Sequence, residues 1–207
     1  MGQWRIGQWQ QSGPPISFSG KCLIINGPSG SRDSKGRHKA MAEAFRGEFY
    51  QKVDAKARVS IPASFRRVLE AGDPAFDGTR PRVVMVYGGG ASRRFVECFT
   101  ISQMRVLEDK IRNMPSGTPA RKALERNYIT LSQTVEVDED GRIVLPAKVR
   151  EKTAMSDAGE ACFAGALDTF QIWKREDYDA EMAAQEEFDL DLPDGADLLS
   201  LLPHNGA

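Results

Sequence analysis

The stretch Val53–Arg66, VDAKARVSIPASFR, returns 84 positions later as Val137–Arg150, VDEDGRIVLPAKVR. Asp54, Arg58, Pro62, Ala63 and Arg66 recur as Asp138, Arg142, Pro146, Ala147 and Arg150. Val59, Ile61 and Phe65 fall on Ile143, Leu145 and Val149, so buried-type positions stay apolar. Two copies with the same pattern ask for the same backbone and the same inward face. The chain is therefore constrained to a shape with internal pseudo-symmetry.

The elements around each copy follow one order. EFYQKV and ARVSIP have the near-alternation of strands and are separated by a tight polar turn. Pro62 ends the second strand and opens a helix that stops near Gly72. RVVMVY and FVECFT read as a hairpin around Gly88, Gly89 and Gly90. Ile101, Met104, Leu107 and Ile111 form one helical stripe, and Thr118 with Pro119 starts another helix. The order then restarts: strands QTVEV and GRIVLP, the short helix PAKVREKTA, a hairpin of ACFAGA and TFQIWK, and a closing helix REDYDAEMAAQEE. The second hairpin is offset by 74 positions rather than 84, which places the extra length of the first half in the loop GDPAFDGTRP.

Four segments result. Residues 1–40 are Gly-, Gln-, Ser- and Lys/Arg-rich without a sustained period, which predicts a disordered extension or a start assigned upstream of a true Met41. Residues 41–115 hold the first half, 116–187 the second half with its helices, and 188–207 an acidic tail with leucines.

Composition narrows the function. No run of about 18 apolar residues exists to span a bilayer, and the first residues lack a charged segment followed by an apolar core, so a secretory signal is not expected. Cys22, Cys98 and Cys162 are odd in number and far apart, which argues against a zinc site or a disulfide framework. The only histidines are His38 and His204, near the two ends, so a histidine-based catalytic or metal centre in the core has no histidine to use. CLIINGPSGSRDSKG imitates a phosphate loop, but Arg32 and Asp33 stand where Gly and Lys are required. These readings predict no enzyme, no cofactor and a cytoplasmic protein. Residues 1–175 carry 28 Lys and Arg against 19 Asp and Glu, and the remaining ten acids all follow Arg175. A basic body with an acidic tail suits a polyanionic partner; a solvated acidic helix is the plain alternative.

The two Asp-x-x-x-Arg turns, each followed by an apolar strand end and a proline, together with FRGEF at Phe45–Phe49, resemble the MraZ family of bacterial transcriptional regulators, from about Met41 to Glu187. The resemblance implies an α+β fold: two tandem AbrB-like (SpoVT-type) swapped-hairpin motifs that form a pseudo-two-fold β-barrel with flanking helices. It implies a nucleoid-associated repressor of its own operon, within the division and cell-wall gene cluster. Its implied partners are double-stranded DNA, at short direct repeats, and further copies of itself in a ring, with no membrane.

Each Asp in these turns suits a structural role, accepting backbone N–H groups across the turn. Arg58 and Arg142 can hold a phosphate bidentately or read guanine O6 and N7, and Lys56 adds a flexible charge in the same loop. The alternative is that Arg58 pairs with Asp54 and touches no DNA. Arg66, Arg67 and Arg150 lie on the helices after the prolines, where they either join the interface or only solvate those helices. Arg121, Lys122 and Arg126 form a basic face open to the same two readings. Glu139 and Asp140 make the second turn acidic where the first has Ala55 and Lys56, so the first half is expected to dominate binding. A rival reading is an AbrB-fold antitoxin-like module, or a scaffold that meets protein partners through DLDLPDGADLLSLLP.

Overall fold

The computed structural model describes residues 44–90, 92–155, 159–186 and 202. The N-terminal extension, the alternative start at Met41, the loop GPSGS, both histidines, Cys22 and the acidic tail (apart from Leu202) lie outside the described residues. From residue 44 on, the described elements belong to one compact unit.

The fold is mixed α+β. Its strands are β1 (Glu48–Lys52), β2 (Arg58–Ser60), β3 (Arg82–Val86), β4 (Phe95–Phe99), β5 (Ser132–Glu136), β6 (Arg142–Val144), β7 (Glu160–Ala166) and β8 (Thr169–Lys174). Its helices are α1 (Ala63–Ala71), α2 (Ile101–Arg112), α3 (Pro119–Leu124), α4 (Ala147–Lys152) and α5 (Arg175–Glu186). Pro62 and Pro146 sit at the N-caps of α1 and α4, where a missing N–H costs nothing. Thr100 caps α2 by accepting from Gln103 N, and Thr118 caps α3 by accepting from Arg121 N.

The strands form an antiparallel sheet of six, in the order β1-β7-β8-β4-β3-β5, and a separate ribbon of β2 with β6. Exchanging each strand with its repeat equivalent (β1 with β5, β2 with β6, β3 with β7, β4 with β8) reverses this order onto itself. The pseudo-two-fold therefore runs between β4 and β8 and through the ribbon. Each half places its first strand against the other half's hairpin: β1 pairs with β7, and β5 with β3. Cross-links at the strand ends obey the same exchange. Val53 N donates to Gly159 O at 2.8 Å, and Val137 N to Pro81 O at 2.9 Å. Among the described residues the pairing leaves β1 and β5 as edges and closes no barrel.

One core lies between the sheet and the ribbon. Val53, Val59, Ile61, Phe65, Val68 and Leu69 of the first half meet Val137, Ile143, Leu145, Val149 and Met155 of the second. Phe163, Phe170 and Ile172 close it from the sheet, with Phe45, Phe65 and Phe170 packed ring against ring at 4.9–5.3 Å. The outer face of the sheet is covered in two places. α2 packs Ile101 and Met104 on Val84, Val86 and Phe99, and α5 packs Tyr178 on Trp173 and Cys162.

The two halves differ in length at a place the sequence did not indicate. The β3–β4 connection, residues 87–94, has eight residues, whereas β7–β8 turns through Leu167 and Asp168 alone. The loop GDPAFDGTRP exceeds its counterpart, residues 153–159, by only three residues. The longer hairpin loop is held by the second half. Gly89 N donates to Asn127 Oδ1 at 2.9 Å, and Gly88 lies so close to Asn127 that a Cβ there would stand 2.9 Å from its backbone Cα. Asn127 belongs to a π-helical turn, Glu125–Thr130, that extends α3.

Candidate nucleic-acid interface

The ribbon pairs Arg58 with Val144, Val59 with Ile143 and Ser60 with Arg142. Directly opposed residues share a face, and faces alternate along a strand. Val59 and Ile143 point into the core and are fully buried. Arg58, Ser60, Arg142 and Val144 therefore share the outward face, with the two arginines at its opposite ends. The Arg58 and Arg142 side chains keep 39% and 42% of their surface exposed, and Val144, opposite Arg58, is exposed.

Each arginine follows a turn of the same construction. Asp54 N donates to Arg58 O at 2.9 Å, and Asp138 N to Arg142 O at 2.8 Å. Asp54 Oδ1 accepts from Lys56 N and Arg58 N at 2.8 and 2.9 Å, and Asp138 Oδ1 accepts from Arg142 N at 2.7 Å. The Arg58 backbone N–H, helped by its guanidinium and by Lys56 N–H, holds the Asp54 carboxyl below its usual value. The chain then passes through the left-handed region at Ala57 and Gly141, whose carbonyls accept from Leu145 N and Ile61 N of the opposite half at 2.8 and 2.9 Å.

The guanidinium groups are held differently. Arg58 Nε donates to Asp54 Oδ2 at 2.7 Å, while its two Nη groups meet no acceptor among the described residues. The ion pair thus aims the arginine and leaves the terminal donors available. Arg142 Nη1 instead lies 3.4 Å from Asp140 Oδ2. The acidic second turn also has a partner that sequence reading missed: Arg80 Nη2 donates to Glu139 Oε1 at 2.9 Å. Arg80 comes from a loop 59 residues earlier, and nothing in the local pattern announces the contact.

Of the other basic candidates, Lys56 is exposed in the first turn and Arg67 is exposed on α1. Arg66 and Arg150 are half-buried on α1 and α4, and their Nε atoms are buried without a hydrogen-bond partner. Arg121 belongs to neither expected role. Its Nε pairs with Glu125 at 2.7 Å and its Nη1 donates to Met114 O and Arg112 O, so it ties the end of α2 to α3. Lys122 and Arg126 remain exposed. No helix among the described residues is long and apolar enough to cross a membrane.

Comparison with known proteins gives this arrangement a context. Residues 129–199 match the family model "MraZ protein, putative antitoxin-like". A Cereibacter sphaeroides protein named transcriptional regulator MraZ is 61% identical over 171 residues, covering 80% of this chain and 99% of the relative. A Ruegeria pomeroyi protein of the same name is 49% identical over 168 residues, at 80% and 99% coverage. A Coxiella burnetii protein of that name is 30% identical over 154 residues, covering 74% of this chain and 93% of its own. With identity of this order across both repeats and nearly the whole relative, the chain belongs to the MraZ family.

Proposed function

We propose that the chain is a transcriptional regulator that binds double-stranded DNA through the β2–β6 ribbon and its two turns. A two-stranded ribbon fits the major groove. Arg58 and Arg142 are the base- or phosphate-contacting residues, Lys56, Arg66, Arg67 and Arg150 support them, and Asp54 and Asp138 shape the turns. The observation that carries this reading is the shared outward face of Arg58 and Arg142, set by ribbon register. The names of the relatives support regulation of transcription as the purpose.

The interleaved strand order supports the finer fold reading as well. Two AbrB-like swapped-hairpin motifs on one chain take the place of a dimer, each half completing the other. One ribbon offers few contacts. Copies of the chain in an oligomer, a ring in this proposal, set on short direct repeats would gain affinity through effective concentration rather than new contacts. The proposed target is the promoter of its own operon, with repression as the outcome and the nucleoid as the place of action.

The test is a salt-titrated binding assay on duplex DNA from upstream of its own gene, against a shuffled duplex. Specific binding that weakens steeply with salt is expected. Equal affinity for both duplexes at all salt concentrations would remove the operator reading.

A further inference from the structure

Among the described residues, two buried side-chain polar atoms lack a partner: Arg66 Nε and Arg150 Nε. Buried orphan donors are rare and call for a reason. These two occupy equivalent positions in the repeat, so the reason lies in the shared architecture. Ile61 N holds Gly141 O at 2.9 Å, which brings the start of α1 against the second turn. Leu145 N holds Ala57 O at 2.8 Å, which brings the start of α4 against the first. Arg66 is one turn into α1. Its side chain lies so close over Gly141 that an added Cβ would stand 2.7 Å from Cζ and 2.9 Å from Cδ, and closer still to Nη1. The Arg66 guanidinium is thus laid against the turn at Gly141, with its Nε buried.

We propose that Arg66 and Arg150 are positioning residues that act across the two halves. Each rests on the turn of the opposite half and holds that turn's arginine, Arg142 or Arg58, on the ribbon face. This rests on the DNA-binding reading for its functional consequence, though not for its geometry. A planar guanidinium suits the role, because it can lie flat on a peptide where an ammonium cannot. Gly141 has no Cβ and admits this close approach of Arg66, whereas the first turn carries the Cβ of Ala57 at the equivalent position. Arg66 therefore matters more than Arg150.

The pattern of coupling tests it. Arg66→Ala is combined with Arg142→Ala, and separately with Arg58→Ala, and binding to the upstream duplex is measured for each variant. Arg66→Ala alone should weaken binding about tenfold. With Arg142→Ala the combined loss should fall short of the product of the single losses by about three- to tenfold, whereas with Arg58→Ala the losses should multiply. Arg66→Lys should bind as poorly as Arg66→Ala. Recovery by lysine, coupling to Arg58 instead of Arg142, or coupling to neither would overturn the proposal. If Arg58→Ala and Arg142→Ala both bind like wild type, the DNA reading fails. The brace is then decided by chemical unfolding of Arg66→Ala, Gly141→Ala and their double variant. Non-additive stability changes support the brace, and additive ones refute it.

Discussion

Ala57 and Gly141 hold the same left-handed backbone turn, at φ of 58° and 75°, in the two copies of the repeat. An L-residue with a Cβ is strained there by about 1–2 kcal/mol, and glycine is not. Ala57→Gly relieves that strain but gives the unfolded chain more freedom, worth about 0.4–1 kcal/mol. The net expectation is a gain of roughly 0.5 kcal/mol, and a Tm rise of about 1–2 °C. Thermal unfolding checks it, and a fall in Tm would show that Ala57 is not strained.

Asp73 is buried and accepts a fork from Arg82, whose Nε and Nη2 lie 2.9 and 2.6 Å from the two carboxylate oxygens. It also accepts from Ala75 N and Arg82 N, both at 3.1 Å. The Arg82 guanidinium, chiefly, holds the carboxyl down to about 2 from its ordinary value of 3.8. A carboxyl with a lowered folded value stabilises in full above its unfolded value and loses that contribution as pH falls through the folded one. The window is therefore about pH 4 down to pH 2, and the contribution is about 2 kcal/mol. Asp73→Asn should lower stability at neutral pH by about that amount and flatten the acid limb between pH 4 and 2. Chemical unfolding across pH checks this, and an unchanged acid limb would contradict it.

The shared core predicts that neither half folds alone. A fragment of residues 41–115 would leave Val59, Ile61, Phe65 and Leu69 without Ile143, Leu145, Val149 and Phe170. β1 and β3 would also lose β7 and β5. The fragment should be unfolded by circular dichroism, and mixing it with residues 116–187 should restore the native spectrum. A cooperative melt from the isolated fragment would contradict the interleaved topology.

Much of this was legible in the chain. Period, proline and cap signals locate the eight strands of the described residues, and the repeat announces the pseudo-symmetry, because these depend on neighbours within a few residues. What was hidden depends on distant partners. Nothing near Glu48–Lys52 says that it pairs with β7, since a strand's pattern gives its face and not its neighbour. The extra residues of the first half fall mainly in the β3–β4 loop, where Asn127, on a distant π-helical turn, meets the glycines. At the candidate site, Arg58 and Arg142 stand out by repetition. Arg80 on Glu139 and Arg66 on Gly141 are contacts between halves with no local signature.

In the proposed function two equivalent turns present Arg58 and Arg142 together to DNA. It is tested most directly by salt-titrated binding of wild type, Arg58→Ala and Arg142→Ala to the duplex upstream of the gene, with circular dichroism confirming that each variant is folded. The two arginine side chains keep 39% and 42% of their surface exposed on the ribbon, so their removal should leave the fold intact while each weakens specific binding by about 1–3 kcal/mol, roughly tenfold or more. Arg58→Ala should have the larger effect, since its turn carries Lys56 where the second carries Asp140. Wild-type affinity in both variants would contradict a role for this ribbon face in DNA binding.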